Sequence, residues 1–218
     1  MQLNTVIFDM DGLLIDSEPL WNKAATEIFK LHGIILTEQQ YSITTGLRTK
    51  EFIDFWFNHF KMPLTNSAII EQQIIETVEM LVVQNGKAMP GLQHIFNFFI
   101  SKNFKIGLAS SSPISLINTV VDLLQIGPYL NNITSAATLQ YGKPHPEVYL
   151  NCATALQTKP VECICFEDSF TGMIAAKAAR MKCVVVPEHK SSKALKWAAA
   201  DLKISSLQNF NELLLQTL

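Results

Sequence analysis

The stretch Thr5–Glu18, TVIFDMDGLLIDSE, decides the fold. Val6-Ile7-Phe8 is a short apolar run, partly β-branched, of the kind that forms a buried parallel strand. Asp9 and Asp11 follow at once, with Gly12 behind them. Two carboxylates two residues apart at the end of such a strand are too costly to bury unpaired. A cation must stand beside them, or one must hold a proton. The expectation is a metal-assisted site in which one carboxylate attacks and the other handles protons.

Outward from that stretch, the composition bounds the class. The 218 residues are 48% hydrophobic and 17% charged, a globular composition able to bury a large core. A formal net charge of −2 leaves no footprint for nucleic acid or an anionic membrane. No apolar run approaches the ~20 residues of a membrane span. The chain runs directly into a strand without a signal-peptide pattern, and its four cysteines, Cys152, Cys163, Cys165 and Cys183, read as reduced structural thiols. Cys163 and Cys165 are two apart in a strand and so share a face. Together these features predict a cytoplasmic protein.

Ser17-Glu18-Pro19 reads as a helix start, with Ser17 as the capping residue. The helix runs from Glu18 to Leu31, with Leu20, Ala24, Ala25, Ile28 and Leu31 on one stripe, and His32-Gly33 ends it. Three more helices are expected over Thr37–Thr45, Arg48–Phe60 and Asn66–Gln84, the second with a core stripe of Phe52, Phe55, Trp56, His59 and Phe60. Residues 18–87 therefore read as a helical insert placed after the first strand, with 1–17 and 88–218 forming the rest. Beyond Pro90-Gly91, strands and helices alternate. Strands are expected at Lys105–Ala109, Ile133–Ala136, Cys163–Phe166 and Cys183–Val186, a short last one near Ala200–Ile204, and a terminal helix over Leu207–Leu215. This alternation predicts an α/β fold, a parallel sheet with helices on both faces.

In open parallel sheets, ligands bind beyond the carboxyl ends of the strands. Asp9 with Asp11, Ser110, Lys143, and Glu167 with Asp168 all fall at such ends or in the loops beside them. Taken singly, Ser110 reads as a helix cap, Lys143 as a surface residue and the acidic pair as a dipole-stabilising cap. One site explains all of them. Asp9 and Asp168 suit a hard divalent ion such as Mg²⁺. Lys143 and the ion would neutralise an incoming dianion, and Ser110 with nearby N–H groups would bind its oxygens. These are the parts needed for phosphoryl transfer.

In order and spacing, Asp9-Met10-Asp11-Gly12, Ser110, Lys143 and Glu167-Asp168 resemble the four motifs of the haloacid dehalogenase-like superfamily. DMDGLLIDSEP, GLASSSP, KPHPEVYL and FEDS are similar to its β-phosphoglucomutase-like subgroup, and within it to sugar-phosphate phosphatases. The resemblance covers essentially the whole chain. It implies a Rossmann-like core with a helical cap of the four-helix type, a Mg²⁺ cofactor, and a small hexose or hexitol phosphate as substrate. By the same resemblance Asp9 is the nucleophile and Asp11 the general acid/base. Ser110, Ser111 and Lys143 hold the phosphoryl group. The metal ligands are Asp9, Asp11 through its carbonyl, Asp168, and Glu167 directly or through water. The resemblance leans towards a monomer.

Asp11 favours phosphate ester cleavage over dehalogenation, which needs no proton for its leaving group. The mutase of the subgroup carries a His in the first cap helix where this chain has Trp21, and an indole cannot shuttle protons. Trp21 either stacks on the substrate skeleton or packs in the hinge. Gly46-Leu47-Arg48 is similar to a substrate-specificity loop, in which Arg48 would hydrogen-bond sugar hydroxyls or a second anion. Asp16-Ser17 and Ala88-Met89-Pro90 are expected as hinges. His145 reads as an oriented loop residue without catalytic duty. A phosphomutase, a non-catalytic phosphate-binding regulatory module, and an interaction protein using Asn66–Gln84 are the alternatives; the module would call for the loss of a motif acid, and none is lost, while a buried bundle face explains the Asn66–Gln84 helix more simply.

Overall fold

A computed structural model describes residues 2–218; residue 1 of the expected 1–17 segment lies outside them. Its sheet has six parallel strands: β1 (Thr5–Phe8), β2 (Lys105–Ser110), β3 (Asn132–Ser135), β4 (Cys163–Glu167), β5 (Lys182–Val185) and β6 (Leu202–Lys203). Their spatial order is β3-β2-β1-β4-β5-β6. The apolar run that opens the chain thus becomes the central strand. Val6 and Phe8 point into one apolar cluster and Ile7 into another, as the two-residue period requires. Cys163 and Cys165 share the second cluster, and all four cysteines are buried and free.

After β1 the helical insert supplies α1 (Glu18–Leu31), α2 (Glu38–Thr44), α3 (Thr49–His59) and α4 (Ser67–Asn85). The rest are α5 (Leu92–Ser101), α6 (Ile114–Leu124), α7 (Glu147–Ala155), α8 (Phe170–Ala178) and α9 (Glu212–Gln216). The two crossings to the helical insert lie side by side. Ile15 and Ala88 form an antiparallel bridge, flanked by Asp16 N–H donating to Lys87 O and Met89 N–H to Leu14 O, both at 2.9 Å.

Three helical expectations need correction. In α1 the buried side chains are Ala24, Ala25 and Phe29, while Leu31 is 75% exposed. Phe29 stacks on Phe52 and packs against Phe57, with ring centroids 5.2 and 5.6 Å apart, and this aromatic cluster sets the helix's rotation. In α3 the buried face is Ile53, Trp56 and Phe57; Phe55, His59 and Phe60 are exposed. Packing on α4, the contact of Phe57 with Phe29 of α1, and a bond from Trp56 Nε1 to Thr44 Oγ1 choose that side. The terminal helix is broken. Residues Leu207–Asn209 form one tight turn, Phe210 is fully buried among Phe98, Phe99 and Phe166, and α9 begins afresh behind Asn211, whose side chain caps Leu214 N–H.

Candidate active site

The chain reverses direction across the sheet at β1, with β2 on one side and β4 on the other, so a crevice opens at their carboxyl ends. Asp9 leaves β1 there, its N–H bonded to Phe166 O of β4 at 3.0 Å. A tight turn follows, in which Met10 O accepts from the N–H groups of Leu13, Leu14 and Ile15. Gly12 stands at φ +73°, and a side chain on it would meet Asp168 Oδ2 at 2.1 Å. Glycine thus lets the β1 loop approach Asp168.

Lys143, buried, reaches between two acids. Its Nζ donates to Asp9 Oδ1 and Glu167 Oε1, both at 2.6 Å, and more loosely to Ala109 O at 3.3 Å. Glu167 is fully engaged. Oε1 also accepts from Tyr149 OH, and Oε2 accepts from Ser169 N–H and Ser169 Oγ. Ser169 in turn caps α8 by accepting from Gly172 N–H. So the described contacts give Glu167 the task of holding Lys143.

Asp11 has a separate set of partners. Oδ1 accepts from Ser17 Oγ at 2.6 Å and Trp21 Nε1 at 2.9 Å; Oδ2 accepts from Ser112 Oγ at 2.7 Å and Ser110 Oγ at 3.4 Å. Ser17 does stand at the start of α1, but its hydroxyl caps nothing and goes to Asp11 instead. A charged acceptor is the stronger partner for that hydroxyl. Trp21 both lines the cavity and donates to Asp11.

The acidic groups are out of balance. Carboxylate oxygens of Asp9, Glu167 and Asp168 lie within 4.8 Å of one another. Three carboxylates face one ammonium. Burial pushes Asp9 up to about 8, with Lys143 pulling against it and Glu167 and Asp11 adding to the rise. Burial, then Asp9 and Glu167, hold Asp168 well above the usual carboxylate range. For Lys143, burial works to lower the value, but Asp9 and Glu167 outweigh it and keep the amine charged. A hard oxygen donor set with surplus negative charge fits a divalent cation of the Mg²⁺ type: Glu167 has donors on both oxygens, whereas Asp9 accepts from Lys143 at Oδ1 alone, so Asp9 and Asp168 are the carboxylates with oxygens to offer it.

The loop between α2 and α3 lies against this end of the sheet. Ser111 Oγ donates to Gly46 O at 3.0 Å and Thr171 Oγ1 to Thr45 O at 3.3 Å. Ser111 is thus committed to the loop in this structure. Arg48 is drawn aside as well: its Nη2 pairs with Glu51 Oε1 at 2.5 Å and its Nη1 donates to Leu139 O at 2.7 Å and Ala136 O at 3.4 Å. It does not line the cavity. His145 is half exposed and faces Glu147 and Tyr141, away from the acids. Three contributors were missing from the sequence reading. Ser112 follows two serines that read equally well, Tyr149 looks like any apolar helix residue, and Ser17's role is invisible until Asp11 is placed.

The strand order, the carboxyl-end crevice and the two separately held aspartates define a class. The profile of the haloacid dehalogenase-like hydrolases matches residues 6–186, and the chain belongs to that family. It is accordingly an enzyme, a phosphatase-type hydrolase. Among its relatives, hexitol phosphatase B of Escherichia coli (strain K12) is 35% identical over 207 residues, covering 94% of this chain and 93% of that one. The fold is shared with β-phosphoglucomutase from Clostridium difficile (TM-score 0.87, 24% identity, 99% and 96% of the two chains). It is shared too with CbbY from Rhodobacter sphaeroides, solved with xylulose-(1,5)bisphosphate (TM-score 0.84, 21% identity, 95% and 96%).

Proposed function

We propose that this protein is a Mg²⁺-dependent phosphatase of small sugar phosphates or sugar-alcohol phosphates, working through an aspartyl-phosphate at Asp9. The observation that carries the reading is the division of labour between two acids. Asp9 is held by Lys143 at the end of the central strand, and Asp11 is held apart by Ser17, Trp21 and Ser112. Asp9 attacks phosphorus, the ester P–O bond breaks, and Asp11 gives its proton to the leaving alkoxide. Asp11 then takes a proton from the water that attacks phosphorus of the Asp9 acyl phosphate; the bond from phosphorus to the Asp9 oxygen breaks, releasing phosphate and restoring both acids. Lys143 and Ser110 hold the phosphoryl oxygens. Asp9, Asp168 and the Asp11 carbonyl would hold Mg²⁺, which would supply charge neutralisation.

Residues 18–87 serve as the cap over a core of 1–17 and 88–218, turning on the bridged crossings at Ile15 and Ala88 to exclude water. The mutase reading is less favoured, because the cap group that reaches Asp11 is an indole N–H, a donor that cannot relay a proton. The likeness to hexitol phosphatase B supports a hexose or hexitol phosphate. The four buried, free cysteines are in keeping with a reducing compartment, hence the cytoplasm. No helix among the described residues is long and apolar enough to cross a membrane.

The test is Asp9→Asn, assayed with p-nitrophenyl phosphate and a sugar-phosphate panel with and without Mg²⁺. Turnover is expected below about a thousandth of the parent rate, with circular dichroism unchanged. Appreciable turnover in the variant would remove the nucleophile assignment, and indifference of the parent enzyme to chelator would remove the metal.

A further inference from the structure

We infer that the cavity is built for a single anion, and that Arg48 is a strap closing the cap on the core and not a ligand for a second phosphate. The inference rests on the phosphatase reading above and narrows it to monophosphates of uncharged skeletons.

The argument begins with the charges lining the cavity. At its core end stand Asp9, Asp11, Asp168 and Lys143. Towards the cap the wall is Trp21, Asn22, Tyr41, Thr45, Leu47 and Phe52. Among the described residues Lys143 is the only Lys, Arg or His lining the cavity, and it is already shared by Asp9 and Glu167. The cap end offers aromatic and apolar surface with amide and hydroxyl groups, which suits carbons and hydroxyls. Glu18 also lines the cavity, so a second phosphate would meet a carboxylate and no cation. Burying an unpaired dianion there is strongly unfavourable.

Arg48 is the cation in the cap loop that could have answered such an anion, and it is spent elsewhere. Its side chain is 14% exposed, paired with Glu51 and bonded to two carbonyls of the 136–139 loop. Its Nε is buried without a partner. The pair packs on the turn just ahead of Lys143, where a side chain at Gly142 would meet Glu51 Oε2 at 2.6 Å and Arg48 Nε at 2.7 Å. Swinging Arg48 into the cavity would strand Glu51 and open the contact between cap loop and core. The fold itself does not forbid a bisphosphate, since CbbY was solved with one. The exclusion belongs to where this chain puts its charges.

The experiment compares glucose 6-phosphate, methyl glucoside 6-phosphate and glucose 1,6-bisphosphate on the full-length Mg²⁺-loaded enzyme. The two monophosphates should agree within about fivefold in kcat/KM, and the bisphosphate should fall about 100-fold lower, the factor for an uncompensated charge. A gap under tenfold, or an equal loss for the methyl glucoside, would overturn the single-anion cavity. Absence of turnover on all three would fail the phosphatase reading instead. Arg48→Gln should lower kcat/KM about tenfold for the monophosphates, leave the ratio to the bisphosphate unchanged, and speed amide exchange across 136–142. A selective loss of the bisphosphate in that variant, with exchange unaltered, would make Arg48 an anion ligand and overturn the strap.

Discussion

Trp21 reaches from α1 to Asp11 Oδ1 at 2.9 Å, and it is one of four donors on that carboxylate. Trp21→Phe keeps the ring and deletes the donor. Because Ser17 and Ser112 remain, the fold should hold while kcat drops roughly fivefold, the factor for one hydrogen bond worth about 1 kcal/mol. Phosphate-release kinetics beside a thermal melt check this; an unchanged kcat would leave Trp21 with packing alone. At this scale the sequence named Asp9, Asp11, Ser110, Lys143, Glu167 and Asp168, and the structure gathers all of them at one crevice. It could not distribute hydrogen bonds. Ser17 was legible as a helix start but not as a donor to Asp11, and Arg48 was legible as a cap-loop cation but not as a partner of Glu51 and Leu139 O.

Helix α8 begins directly against the acids, because Ser169 caps it while donating to Glu167. Its first turn carries Gly172, where a methyl group would sit 1.8 Å from Glu167 Oε1. Gly172→Ala must therefore displace Glu167, and with it Lys143. Loss of about 1–3 kcal/mol is expected, the usual cost of overpacking a full core, together with a drop of at least about tenfold in kcat/KM if Lys143 moves even ~1 Å. Urea titration and phosphate-release assays measure the two effects. The same scale holds the misread faces. Helical spacing in α1 and α3 admitted several stripes, and it took the aromatic cluster of Phe29, Phe52 and Phe57 to choose among them. The terminal segment looked continuous because its apolar residues recur at helical spacing. Phe210, drawn into the Phe99–Phe166 cluster, breaks it.

Over the whole molecule the surplus of buried acid sets a pH dependence. Asp9 rises from its ordinary 3.8 to about 8, and Glu18 from 4.5 to about 7, in both cases first through burial. Without a cation the folded protein binds more protons than the unfolded chain across that interval, so stability falls as pH rises from about 4 to about 8. Mg²⁺ held by Asp9 and Asp168 would displace the proton on Asp9. Its addition should raise Tm more at pH 8 than at pH 5, and at a hundredfold excess over its dissociation constant the stabilisation is about 2.7 kcal/mol. Calorimetry at the two pH values decides it; an equal or smaller gain at pH 8 would place Mg²⁺ away from these acids. By itself the sequence determined the strand that ends in Asp9, the alternation that makes a parallel sheet, and the residues that gather at its carboxyl edge. Each of these follows from local apolar pattern and from the cost of burying an unpaired charge. Only the tertiary structure decided which donor serves which acid, which helix faces are buried, and that Arg48 lies outside the cavity. Those depend on contacts between residues as far apart as Arg48 and Leu139, which no local pattern encodes.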